Sequence, residues 1–528
     1  MAEEKEAPKR VSRRQFVKGA AVGGAGVAAA GVLASCAPAA TPAPAATCPP
    51  APTCPPAADC PPCLTPWIPS TWDEEADVVV VGAGGAGLCA SIQAADAGAS
   101  VIALEKTSTP LSSSTAICSA SFGVCQNELQ KAEGIIDSPD IFYEDIMRTG
   151  GYVNDPDLVR LYVDNCLDTY NWLLSLGWVE VGQLSQPAGA SVLRNVSMAP
   201  PADFVNLLTE VAEAKGVRIL LNTSGERLVA DYEDQVLGVK VLDTESGTER
   251  FVRAKKAVVI SSGGFGRDAA LLEQCHQGLS KTFAAAGPEI KGDGIRMGWS
   301  LGSGIRDMIY TKPTFGTHVS GMTTGVRVSV NAFHKGAIIV NREGKRFVDE
   351  SLSYKESGIA ALAQTDGVGF QILDQRMYDA ANPKASATEL FVQANTIEDL
   401  ASDIGIPPET LKETVDSYNG YVDVGLDREF GRTELAKFGG KPFVKIDTPP
   451  FYAYESVGAV LGTYCGLTAN KDLQVVDVYG EVIPRLYAAG EVVGGLEGAG
   501  YISGTALGNA LVFGRIAGKN AAAEEPWE

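Results

Sequence analysis

The chain of 528 residues is 45% hydrophobic and 20% charged, ordinary for a globular protein and too long for one small core. A formal charge of −21 repels phosphate backbones and argues against a nucleic-acid partner. The three histidines, His276, His318 and His334, share no ligand spacing, so no metal site is expected.

Residues 12–18 read Ser-Arg-Arg-Gln-Phe-Val-Lys, ahead of a mild run of Ala, Gly and Val over 19–35. That run is too short and too weakly apolar to span a bilayer. It resembles a twin-arginine export signal, used by proteins that fold before crossing a membrane. Leu33-Ala34-Ser35-Cys36 resembles a lipoprotein cleavage box, with Cys36 the acylated residue. Residues 1–36 are therefore expected to be a signal, and the mature chain to touch the cell membrane only through a lipid, on its extracytoplasmic side. Residues 37–72 are rich in Pro and Ala and should form an extended spacer. Cys48, Cys54, Cys60 and Cys63 fall in it. Cys60-Pro-Pro-Cys63 has ligand-like spacing, but repeated Cys-Pro-Pro units in low-complexity sequence favour disulfides or a spacer repeat over a cluster.

From Asp77 the chain turns into a compact nucleotide-binding pattern. The valine run 78–81 reads as a buried parallel strand. Gly82, Gly84 and Gly87 follow as Gly-x-Gly-x-x-Gly, and residues 88–97 continue as a small-residue helix. The glycines allow the tight turn, the approach of backbone to a pyrophosphate and close helix packing. A second strand over 100–104 ends in Glu105, at the offset where an acid meets a ribose hydroxyl. Two later segments choose FAD over a nicotinamide. Residues 256–261 form another strand closing in Ser262-Gly263-Gly264-Phe265-Gly266. Leu486-Tyr487-Ala488-Ala489-Gly490-Glu491 is followed by a glycine-rich loop and a helix over 505–517. That helix would aim its positive end at a flavin.

These motifs, with Gly292-Asp293-Gly294-Ile295, the 336–350 segment ending Arg346-Phe347-Val348-Asp349-Glu350, and Phe513-Gly514-Arg515-Ile516-Ala517-Gly518, resemble the fumarate reductase/3-ketosteroid dehydrogenase superfamily over residues 73–528. The resemblance implies an α/β fold. A Rossmann-like FAD-binding domain is split into 73–311 and 462–528, with an α+β cap domain for substrate inserted at 312–461. It further implies that 336–350 is a strand–turn–strand, and that FAD is held by Gly82, Gly84, Gly85, Ala86, Gly87, Glu105, Lys106, Ser114, Thr115, Ala120, Ser121, Val229, Gly264, Asp293, Glu491, Ala506 and Leu507.

Dicarboxylate reductases of this superfamily need cations for two carboxylates, because an unpaired buried carboxylate is costly. Here the family's His-Pro-Thr is Lys312-Pro313-Thr314, its paired histidines are replaced within Val460-Leu461-Gly462-Thr463-Tyr464-Cys465-Gly466, and Tyr354 and Tyr501 stand where its arginines would be. Tyr501-Ile502-Ser503-Gly504 resembles the Δ4 3-ketosteroid dehydrogenase branch. The resemblance implies a small hydrophobic ketone as substrate. Tyr501 and Tyr354 would relay a proton, Ser503 would orient one of them, and the Gly504 N–H would polarise the ketone oxygen. Two other readings compete: an exported ene-reductase for another enone or enoate, fed by a membrane quinol or cytochrome, and a non-catalytic binding lipoprotein. Cys89, Cys166 and Cys275 read as core residues, Cys118 and Cys125 as buried thiols, and the helix 156–176 with Tyr170 and Trp172 as packing.

Overall fold

The computed structural model describes residues 68–528 apart from 182, 188, 319–327, 438 and 528. The export signal, Cys36 and the four tail cysteines lie outside the described residues.

Continuous apolar runs become central strands because helices cover both faces. β1 (Glu74–Val81) ends in four valines that are at most 4% exposed. After α1 (Gly85–Asp96), β2 (Val101–Leu104) returns parallel to β1, with Val78 opposite Val101 and Val81 opposite Leu104. The long helix α2 (Pro156–Ser175) precedes β3 (Arg218–Leu220), which adds parallel to β2. An antiparallel meander of β4 (Thr223–Ala230), β5 (Val236–Asp243) and β6 (Glu249–Ile260) then brings β6 alongside β1, in parallel.

The chain next builds a second sheet. β7 (Phe283–Ala284) and, after α3 (Asp293–Ser300), β8 (Thr314–Thr317), β9 (Ile338–Val340), β10 (Val368–Asp374), β11 (Val392–Ala394) and β12 (Phe451–Val460) assemble with β12 central, in the order β8–β12–β10–β9. β7 and β11 also pair with β12. Helices α4 (Tyr354–Leu362) and α5 (Pro408–Val424) accompany this sheet, and its core contains Ile338, Ile372, Leu400, Leu411 and Tyr454. The expected strand–turn–strand over 336–350 forms only in part. β9 is present, but its return is a single bridge, Val340 to Arg346. Arg346 and Glu350 are drawn instead into a buried ion network: Arg346 donates to Glu350 at 2.8 and 2.6 Å and to Asp427 at 2.8 Å. Arg432 completes it, donating to the carbonyls of Phe333 at 2.7 Å and Ala337 at 3.0 Å.

β13 (Gln474–Val476) and β14 (Val482–Ala488) bring the chain back to the first sheet, β14 lying parallel to β6. The sheet then runs β13–β14–β6–β1–β2–β3, with β4 and β5 extending it. The last helix, α6 (Thr505–Ala523), is a turn or more longer than the sequence suggested. Gly514 and Gly518 set its packing on α1: a Cβ there would stand 2.4 Å from Ala86 O and 2.1 Å from Ala90 O. Only glycine permits this near-contact of the α6 and α1 backbones, which aligns both helix N-termini on one cavity. The fold is a Rossmann-like FAD-binding domain with a cap. No helix among the described residues is long and apolar enough to cross a membrane.

Candidate functional site

One cavity runs from the β1–α1 turn to the N-terminus of α6. At the first end Gly82 takes φ +101°, and a Cβ there would lie 2.7 Å from Ser261 O, so the turn hugs the neighbouring strand. Glu105, 9% exposed, accepts from Ala83 N–H at 3.2 Å and from the N–H and hydroxyl of Thr107 at 3.0 and 2.8 Å. Its carboxylate is thereby pinned at the end of β2. Lys106 Nζ reaches Asp293 at 2.9 Å and Glu289 at 3.5 Å. The hydroxyl loop 112–115 covers the turn: Thr115 accepts from Gly85 N–H at 3.1 Å, Ser114 from Gly287 N–H at 3.0 Å, and Ser113 Oγ is buried with no hydrogen-bond partner among the described residues.

At the other end Glu491 accepts from Thr463 N–H at 2.8 Å and from the Thr463 hydroxyl at 3.1 Å. Burial raises its pKa, against those hydrogen bonds, which lower it. Gly504, at φ +102°, caps α6, whose first residues Ala506 and Leu507 line the cavity. A helix N-terminus there favours negative charge. A glycine cradle, an orphaned hydroxyl, a ribose-facing acid and an electropositive helix end fit FAD at this cavity.

Three tyrosines gather beside this end. Tyr501 and Tyr464 stack, with ring centroids 4.6 Å apart and planes at 30°. Tyr354 lies 6.1 Å from Tyr501. Lys355, 3% exposed, holds its ammonium 4.1 Å from the Tyr464 ring centre and donates to Lys312 O at 2.9 Å. Burial pushes the Tyr501 and Tyr464 phenols well up, and the carboxyl of Glu497 adds to both. Tyr464 sits at φ +53°, an uncommon conformation for a bulky residue, so the surrounding packing must hold it.

Of the residues read from sequence, Gly82, Gly84, Gly85, Ala86, Glu105, Lys106, Ser114, Thr115, Ser121, Asp293, Glu491, Tyr501, Ala506 and Leu507 line the cavity. Gly87 does not, because it faces β1: a Cβ would fall 1.8 Å from Gly82 O. Gly264 lies beneath Glu491 and Thr463. Ala120 is buried while Cys118, Ser119 and Ser121 reach the wall. Val229 is buried in β4 opposite Gly238, while Thr223, Ser224 and Gly225, at the start of that strand, line the cavity. Tyr354 is brought to the site through Tyr501 rather than through the cavity wall. The Gly504 N–H, expected to face a ketone, donates to Tyr501 Oη at 3.3 Å, and Ser503 O accepts from Asn195 at 2.6 Å. Sequence reasoning missed Tyr464, whose only signal was an aromatic residue within the segment that replaces the family's histidines. Lys312 pairs with Glu356 and donates to Ala499 O at 3.2 Å. Cys89 and Cys166 are fully buried and Cys275 is 9% exposed.

Residues 77–507 match the family described as FAD binding domain. The chain is 31% identical over 459 residues to the fumarate reductase (cytochrome) of Shewanella frigidimarina, spanning 85% of this chain and 77% of that protein. It is 28% identical over 578 residues to the digoxin reductase of Eggerthella lenta, spanning 98% of each. A crystal structure of 3-ketosteroid-Δ4-(5α)-dehydrogenase from Rhodococcus jostii RHA1, in complex with 4-androstene-3,17-dione, matches with a TM-score of 0.69 at 28% identity, covering 86% of this chain and 98% of that one. With its glycine cradle, pinned Glu105 and Glu491 at the head of α6, the chain belongs to the FAD-binding family of the fumarate reductase superfamily and is an FAD-dependent oxidoreductase acting on carbon–carbon bonds.

Proposed function

We propose that the chain transfers hydride between FAD and a carbon–carbon bond conjugated to a ketone, on a flat and largely uncharged substrate. The observation that carries this reading is the tyrosine trio. Tyr354, Tyr464 and Tyr501 occupy the end of the site where a dicarboxylate would need cations, and no arginine or histidine is among the described residues lining the cavity. Stacked phenol rings suit a flat apolar substrate.

FAD, when bound, supplies a hydride acceptor or donor at N5. The chain's own residues handle the proton. Tyr501, held by the Gly504 N–H, delivers it to the α-carbon during reduction and receives it during desaturation. A raised phenol pKa keeps Tyr501 protonated until transfer, and the buried Lys355 ammonium beside Tyr464 tolerates negative charge on the tyrosine pair. The cap, 312–461 in this reading, contributes Tyr354 and Lys355, and 73–311 and 462–528 hold FAD. The relatives named for fumarate and digoxin reduction support the reductive direction. The export signal and lipid anchor expected in residues 12–36 would set this chemistry on the outer face of a membrane, with a quinone or cytochrome as electron partner.

The test is anaerobic mixing of dithionite-reduced holoenzyme with 4-androstene-3,17-dione or with fumarate, following flavin absorbance. Reoxidation by the enone, slowed about 100-fold in Tyr501→Phe, is the expected result. Reoxidation by fumarate alone would overturn the substrate class and leave an enoate reductase.

A further inference from the structure

A second cavity, about 20 Å³, adjoins the site: Tyr464, Glu491 and Ala506 line both. That is room for one water. Glu497 and Asn509, 4% and 5% exposed, face it, and Asn509 Oδ1 is buried without a hydrogen-bond partner among the described residues. A polar pocket of this size with an orphaned acceptor is where a water belongs.

Glu497 itself is unusual. Its two oxygens lie 2.8 and 2.9 Å from one hydroxyl, Thr505 Oγ1, which is also 2.7 Å from Ile502 O. Thr505 has a single proton for three acceptors. The competition is relieved when Thr505 donates to Ile502 O and Glu497, carrying its own proton, donates to Thr505 through one of its oxygens. The electrostatics agree: burial drives the Glu497 pKa to about 8, against the Thr505 hydroxyl and the Lys355 charge that lower it, with Asp307 raising it further. Around it lie Tyr162, Tyr464 and Tyr501, each pushed up in part by Glu497, together with Glu491 across the small cavity. The mechanism above makes no use of this buried acid.

We propose that Glu497 is a positioning residue of this site, a neutral carboxylic acid that returns a proton to the Tyr464–Tyr501 pair through one water in the second cavity. The inference rests on the reading of Tyr501 as the group that protonates substrate. Once Tyr501 has given its phenolic proton to the α-carbon, Tyr464, the stacked partner that lines the second cavity, passes its proton to the Tyr501 phenolate and takes one from the water, and the water takes one from Glu497. The Glu497 carboxylate is held by the Thr505 hydroxyl and the Lys355 ammonium until solvent reprotonates it. Desaturation runs the same transfers backwards, and no electrons move in the relay.

The experiment uses FAD-loaded enzyme and two readouts. Infrared difference spectra across about pH 8 should show the carbonyl stretch of a protonated carboxylic acid disappearing as pH rises, and Glu497→Gln should lack that band. In stopped flow with 4-androstene-3,17-dione, wild-type kcat should fall about tenfold per pH unit above about 8. Glu497→Gln should be flat with pH, its kcat about 10- to 100-fold lower and its KM little changed. Thr505→Val, which removes the hydroxyl that stabilises the carboxylate, should move band and alkaline limb to higher pH. An alkaline limb or carbonyl band that persists in Glu497→Gln overturns the proposal. If that variant does not take up FAD, an unmoved limb and band in Thr505→Val overturn it instead. A band that titrates in wild-type enzyme lacking enone turnover counts against the reaction proposed above and for the buried acid.

Discussion

Gly264→Ala is a sharp test of how the flavin end is built. A Cβ at that position would stand 2.1 Å from Thr463 Oγ1, 2.4 Å from Glu491 Oε1 and 2.9 Å from Glu491 Cδ. Comfortable contacts with carbon lie near ~3.5 Å, so both side chains must retreat by roughly 1 Å. That retreat breaks the two hydrogen bonds, at 2.8 and 3.1 Å, by which Thr463 holds the Glu491 carboxyl. Overpacking of this kind costs ~1–3 kcal/mol, and a lost hydrogen bond to a charged group ~1.5–3 kcal/mol. Allowing for partial relaxation, apoprotein stability should fall by ~2–4 kcal/mol. Displacement of Glu491 should weaken FAD binding by about 10- to 100-fold, or ~1.4–2.8 kcal/mol. The assay is FAD titration of apoprotein by flavin fluorescence, paired with denaturant unfolding. Gly420→Ala is the control: it lies in α5 with nothing within 4 Å of its added Cβ, and should be neutral or stabilising by ~0.5–1 kcal/mol. If Gly264→Ala binds FAD as tightly as the wild type, the Glu491–Thr463 contact has no part in holding the cofactor.

Arg432→Met should destabilise the second sheet by ~3–5 kcal/mol, because the Phe333 and Ala337 carbonyls lose their donor while Glu350 keeps Arg346. Limited proteolysis should cut first between 330 and 450 with FAD still bound; concerted loss of both regions would refute the two-core reading. Burial lowers the His334 pKa to about 4, so the unfolded chain binds more protons below its ordinary value near 6.5. Stability should therefore rise with pH across that interval, and His334→Gln should flatten that part of the profile in denaturant titrations. Cys118 lines the cavity, so its thiol should react with a chromogenic disulfide in apoprotein and be protected by FAD. Cys125 and Cys166, with Sγ atoms 3.7 Å apart and fully buried, should react only on unfolding. Equal reactivity of Cys118 with and without FAD would place the cofactor elsewhere.

Much of the nucleotide half was legible because its signals are local. A valine run, three glycines and an acid at the next strand's end encode strand, turn and helix within 77–105, and β1, α1 and β2 formed there with Glu105 at the end of β2. The Phe513–Gly518 motif, by its resemblance, likewise marked a closing helix, though not that Gly518 carries its packing onto Ala90. What local pattern misjudged was side-chain fate. Arg346 and Glu350 looked like strand residues until Asp427 and Arg432, some 80 positions away, drew them into a buried network. Val229, a cofactor contact by the resemblance, is buried in β4, and the residues of that strand that line the cavity are Thr223, Ser224 and Gly225.

The amino-acid sequence by itself determined the α/β class and the glycine-rich cradle for FAD, because backbone pattern and residue chemistry are written position by position. Only the tertiary structure decided which groups meet. The Tyr464–Tyr501 stack, the Lys355 ammonium beside it and the buried Glu497 come from three separated segments. Their stacking, burial and shifted pKa values arise from distances through space, which spacing along the chain does not encode.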